Sequence, residues 1–231
     1  MKRGCLLLAL IMVFTLSAMA GTVELTFEGT APQNYNSGGV YTYPYYFQVG
    51  TQTNVPLMCD DFSTQITQGE SWTAGTSPIT STVANGVGIF TSQTNYNAAG
   101  LLYLAALGKG PANLSGLSGT NLPAGEANWA IWYLFEPTPT AADAYGTLPF
   151  ATSVLATLDT TAINDVAVPA DYSLLNANGV TIYSPKYPGG AEATVQEFIG
   201  SSPVPEPASL MLMGSGLLGL AGMARRRFLK A

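Results

Sequence analysis

Seventeen consecutive residues, Ala208 to Ala224, carry no charge, and they run directly into Arg225-Arg226-Arg227. An uncharged run of this length is poorly suited to the surface of a domain in water. As a helix it would extend roughly 25 Å, close to a hydrocarbon core of about 30 Å. Arginine side chains snorkel and bilayers thin locally, which closes the small gap. The sequence therefore predicts a transmembrane helix over about 208–224, with Arg225, Arg226 and Arg227 as a stop-transfer cluster left in the cytoplasm. Gly214, Gly216, Gly219 and Gly222 make it a weak helix by propensity, an aid to an enzyme that must unwind it. Just before it, Pro205 and Pro207 flank Glu206 and hold the backbone extended, where a protease can reach it.

The other end is also an address. Met1-Lys2-Arg3 precedes an apolar run from Cys5 to Leu16, followed by Ser17-Ala18-Met19-Ala20 with small residues at the positions a signal peptidase reads. About a dozen apolar residues are too few to span a bilayer, so residues 1–20 are expected to be a signal peptide. Cys5 precedes the apolar run instead of following it, unlike the cysteine of a lipoprotein, and leaves with the peptide. The exported chain then retains a single cysteine, Cys59.

The C-terminal arrangement, Val204-Pro205-Glu206-Pro207, then a short apolar span, then an arginine cluster, resembles the PEP-CTERM sorting signal of exported bacterial proteins over residues 204–231. The resemblance implies recognition by an exosortase, a membrane-embedded cysteine transpeptidase or protease, with cleavage near Glu206. It also implies a transient single-span stage in the inner membrane, followed by release to the cell surface or an extracellular, exopolysaccharide-rich matrix such as a biofilm.

Between the two addresses, residues 21–203 hold thirteen acids against two bases, Lys109 and Lys186, a net of −11. That charge disfavours nucleic acid and anionic membrane surfaces as partners. The chain has no histidine, which removes imidazole acid–base chemistry and histidine-ligated metals, so no cofactor is expected. Extracellular polysaccharide or another surface protein is the expected partner.

Hydrophobic periodicity predicts one α+β domain, a β-sheet or sandwich with a small helical insertion over about 95–160. Val23, Leu25 and Phe27 alternate with polar residues, as do Tyr41, Tyr43, Tyr45, Phe47 and Val49. Pro44 marks the second of these strands as an edge or a bulged strand. Further strands are expected over 55–62, 65–72 and 86–91, then at 166–168, 180–183 and 193–199. The period turns helical at Ala98, Leu101, Leu102 and Ala105, with Asn97 as N-cap, and again at Ala127 to Leu134 and Ala151 to Leu158.

Candidate chemistry is sparse. Asp60 and Asp61 are adjacent, so on a strand they face opposite ways and cannot share a substrate as a glycosidase pair does. Solvated acids are the plainer expectation for them, and Glu126 has no assigned neighbour. Calcium would suit an acidic exported domain, although no EF-hand-type loop is present. There is no nucleophile elbow, phosphate loop or Cys-x-x-Cys, and the domain is read as non-enzymatic. The tyrosines offer a sugar-stacking face as an alternative to core packing.

One further pattern concerns Cys59. Leu57-Met58-Cys59-Asp60-Asp61-Phe62 is followed 69 residues on by Asn128-Trp129-Ala130-Ile131-Trp132. Together these resemble the thioester domains of bacterial surface adhesins, in which a strand cysteine and a Gln-x-Ala-Ile-Trp segment form a Cys–Gln thioester. The resemblance implies a crosslink between Cys59 and Asn128, yet Asn128 is one methylene shorter than glutamine. Its carbonyl carbon is expected to fall about one bond short of the 3–3.5 Å that attack requires. The scaffold without the reactive bond is the expectation. A thioester-type covalent adhesin and an extracellular polysaccharide hydrolase are the alternatives to a binding, adhesive or structural role.

Overall fold

A computed structural model describes residues 21–30, 41–114, 123–136, 150–190 and 194–201, all within the compact unit Met1–Ser201. The expected signal peptide, sorting motif, transmembrane helix and arginine cluster lie outside the described residues. Among the described residues, no helix is long and apolar enough to cross a membrane.

Six antiparallel strands close into a barrel: β1 (Gly21–Thr30), β2 (Tyr45–Val49), β3 (Gln52–Cys59), β4 (Ser71–Pro78), β5 (Val180–Ser184) and β6 (Phe198–Ser201). Their order around the barrel is β1-β2-β3-β6-β5-β4, with β4 returning to pair with β1. The architecture is thus α+β as expected, but a closed barrel replaces the sandwich. Closure needs β4 to pair with β1 and β5, and that pairing is set by long-range register, which leaves no mark on local periodicity.

Side-chain alternation fills the barrel. Leu25 and Phe27 of β1, Tyr45, Phe47 and Val49 of β2, and Trp72 and Ala74 of β4 are all buried. Phe47 lies at the centre, 4.6 Å from the Phe198 ring and 5.8 Å from Trp72 at 90°. Such edge-to-face contacts add roughly 0.5–1.5 kcal/mol each to the burial itself.

In a closed barrel β2 is not an edge strand, and Pro44 lies just outside it. The irregularities fall in its partners instead. Glu28 is the extra residue of β1 between Phe27 and Gly29, and β3 gains residues around Asn54. Gly29 and Asn54 take positive φ, +126° and 56°, at these two bulges. The Glu28 carboxylate accepts the Asn54 N–H at 2.7 Å, tying the bulges together.

Between β4 and β5 the chain leaves the barrel, and the described residues there form a 3-10 turn (Ile79–Ser81) and four helices. These are α1 (Gln93–Ala106), α2 (Ala124–Phe135), α3 (Thr152–Val166) and α4 (Pro169–Ala177). The three expected helices are present, and α4 extends the insertion beyond residue 160. Residues 166–168, read as a strand, form the end of α3 and the N-cap of α4, whose Pro169 is well placed at a first helical position. Residues 65–70 and 86–91 form loops, and β4 starts only at Ser71. The cap of α1 is Ser92, whose side chain accepts the Asn95 N–H, not Asn97.

The insertion packs around α1, where every residue from Tyr96 to Ala105 is buried. A helix apolar on all sides is a central helix, and α2, α3 and α4 cover it. Gly100 lets it approach closely: a Cβ there would lie 2.7 Å from Leu175 Cδ2 and 2.9 Å from Ile79 Cδ1.

Candidate functional site

β3 and β6 run antiparallel with Cys59 opposite Phe198, and the next step brings Asp60 N–H onto the Glu197 carbonyl at 3.2 Å. The barrel end, the start of the β3–β4 loop and helix α2 therefore converge around Cys59. Asn128, fully buried on α2, donates from Nδ2 to the Cys59 carbonyl at 2.8 Å and accepts the Tyr43 N–H on Oδ1 at 2.9 Å. The structure does bring Cys59 and Asn128 together. Both ends of the amide are engaged by backbone.

The Cys59 thiol, fully buried, donates to the Asp61 carbonyl at 3.0 Å. Burial pushes its pKa well up, and the Asp61 and Asp60 carboxyls push it further; the nearby Trp132 indole and a backbone hydrogen bond of Asp61 oppose them weakly. A thiol held in this way is a poor nucleophile, because the thiolate is the reactive form. Behind it, Trp129, Trp132 and Phe62 form an aromatic trio with ring separations of 5.0 to 5.7 Å.

Asp60 and Asp61 are buried, which corrects the expectation of solvated acids. They do point in different directions. Asp61 Oδ1 accepts the Ser63 and Thr64 N–H groups, closing the turn after β3. Asp60 meets Glu197, and neither side chain is exposed to solvent. Glu197 is supplied with donors: Tyr96 OH at 2.7 Å, Ile89 N–H at 3.0 Å, and the Ser184 hydroxyl. Asp60 has no donor for either carboxyl oxygen among the described residues.

The chemistry follows from that asymmetry. Burial, then the Glu197 charge and hydrogen bond, and then Asp61 raise the Asp60 pKa well above the carboxylate range. Burial raises that of Glu197 too, against its hydrogen bonds. Both acids are therefore pushed toward the protonated, neutral form, Asp60 the more strongly because no donor offsets its burial. The acid Glu197 was not singled out from the sequence, although an acid inside Val195-Gln196-Glu197-Phe198-Ile199 was the available signal.

Glu126, in the first turn of α2, stays apart. It lines a hollow of about 290 Å³ with Asn113 and α3 residues including Ser153 and Thr157. Among the described residues, no group of three or more cysteines and acids is placed to hold a metal ion.

A larger groove, about 490 Å³, opens at the barrel end beside the Cys59 junction. Phe62 and Trp132 contribute aromatic surface, and the β3–β4 loop contributes Thr64, Gln65, Thr67 and Gln68. Tyr41 borders the groove with half its surface exposed, and its carbonyl accepts the Tyr45 hydroxyl. Gln196 donates to the Asp61 carbonyl and Gln68 to the Glu28 carbonyl, so both amides are oriented.

Residues 203–227 match the PEP-CTERM protein-sorting motif, the segment that holds Pro205, Glu206, Pro207 and the arginines. The chain is thus an exosortase-sorted extracellular protein, exported through membrane-anchored sorting to the cell surface. No curated protein and no solved structure matches it.

Proposed function

We propose that the exported domain is a non-catalytic binding module with an adhesive or structural role at the cell surface or in the extracellular matrix. The observation that carries this reading is where the carboxylates lie. Asp60 and Glu197 are sealed from solvent, no acid lines the 490 Å³ groove, and Asp61 is the single acid among the residues lining a separate hollow of about 540 Å³. A polysaccharide hydrolase needs two carboxyls facing each other across an open cleft, roughly 5–10 Å apart.

The Cys59–Asn128 junction is read as the scaffold of a thioester-like site without its reactive bond. The thiol is protonated and buried, and the Asn128 amide serves as a strap between α2, the residue before Pro44 and the end of β3. This reading favours reversible over covalent attachment.

The test is retention. The full chain, expressed with and without an exosortase, is followed by fractionation and by antibodies to the domain and to the tail. The expected result is a tail-free domain held on cells or matrix only when the exosortase is present. A domain that is processed but recovered entirely free in the medium would end the binding reading.

A further inference from the structure

We infer that the groove at the barrel end binds a neutral polysaccharide, an assignment that rests on the binding role proposed above and specifies its ligand. Three observations converge on this chemistry. The first is charge. In a segment with thirteen acids, all thirteen residues lining this groove are uncharged. A charged ligand would find no counter-ion there and would lose hydration on entry without repayment.

The second is the kind of surface. Tyr41, half exposed, and Phe62, partly exposed and backed by the buried Trp132, offer aromatic surface, and sugar rings present flat C–H patches that stack on aromatic carbon. The Phe62 and Trp132 rings lie 5.0 Å apart at 70°, so each is fixed by the other. The third is hydrogen bonding. Thr64, Gln65, Thr67 and Gln68 bring hydroxyls and amides that both donate and accept, as sugar hydroxyls do. The Gln65 and Thr67 side chains are exposed and can exchange water for a ligand, while Gln68 is held by its bond to the Glu28 carbonyl.

Affinity electrophoresis of the exported, processed chain tests this, using gels containing a β-glucan, a galactomannan, dextran or, as the charged control, alginate. Retardation is expected in at least one neutral gel and not in alginate. The double variant Tyr41→Ala with Gln65→Ala should bind about tenfold more weakly. Both side chains are exposed, so its melting temperature should match that of the parent, which separates lost contact from lost fold. Absence of retardation in every neutral gel, equal retardation of the variant, or retardation by alginate alone would each overturn the inference. Retention on cells stripped of polysaccharide would point to a protein partner; that outcome refutes the glycan assignment and leaves the binding role standing.

Discussion

The Asn128 side-chain amide donates to the Cys59 carbonyl at 2.8 Å, across 69 residues of chain. With its other end on the Tyr43 N–H, this one side chain ties helix α2 to two segments of the barrel. Replacing Asn128 by Ala leaves a buried carbonyl and a buried N–H unpaired, at about 1–3 kcal/mol each. A fall of about 2–5 kcal/mol in unfolding free energy, measured by urea denaturation, is the expected outcome. A change under 1 kcal/mol would mean the strap is not structural.

The same contact predicts the state of the sulfur. Because the Cys59 thiol is buried and protonated, intact mass should show no loss of ammonia, and methylamine should not add to the chain. Iodoacetamide should label Cys59 only after unfolding. Loss of ammonia from the native protein, with methylamine trapped at Asn128, would establish the thioester instead.

Buried acids set the response to pH. Asp60 and Glu197 are raised, and burial pushes Asp159 up to about 8. Above the ordinary carboxylate range, near 4, the unfolded chain releases these protons while the folded chain keeps them. The folded state then binds more protons, so stability falls as pH rises, at about 1.4 kcal/mol per pH unit for each proton. The melting temperature should therefore be higher at pH 5 than at pH 8.

Two variants separate the contributions. Asp159→Asn should flatten the decline between pH 4 and about 8. Asp60→Asn supplies a permanent donor to Glu197 and should melt at pH 8 no lower than the parent. Unchanged pH profiles in both variants would show that these carboxyls do not carry the effect.

Helix α1 depends on Gly100. Gly100→Ala would place a Cβ within 3 Å of both Leu175 and Ile79, so α4 and the 3-10 turn must shift. Overpacking of this kind costs about 1–3 kcal/mol, outweighing the gain in helix propensity of about 1 kcal/mol. Thermal melting of the variant checks the sign: stabilisation would mean that the helices repack freely.

Much of the domain could be read locally. The alternation of β1 and β2 and the helical spacing at Ala127 and Ala151 are properties of a few neighbouring residues, and they emerge in the fold as β1, β2, α2 and α3. Central elements were harder. α1 is buried on every side, which erases the polar stripe that would mark its start, and its cap was misplaced by five residues. Helix α4 is short and has a single buried residue, Leu175, so its periodic signal is faint.

The sequence alone determined the destination, because sorting machinery reads linear stretches: the Pro-Glu-Pro segment and the arginines are recognisable before any folding. The patterns around Cys59 and Asn128 suggested a crosslink only by resemblance; what the fold contains is a hydrogen bond from the Asn128 amide to the Cys59 carbonyl. Only the tertiary structure decided that the strands close into a barrel, that Asp60 is buried beside Glu197, and that an uncharged groove opens beside Cys59. Those features arise from residues more than a hundred positions apart, Asp60 with Glu197 and Phe62 with Gln196, whose meeting depends on strand register. Register is fixed by burying the whole core at once, and no local stretch of chain encodes it.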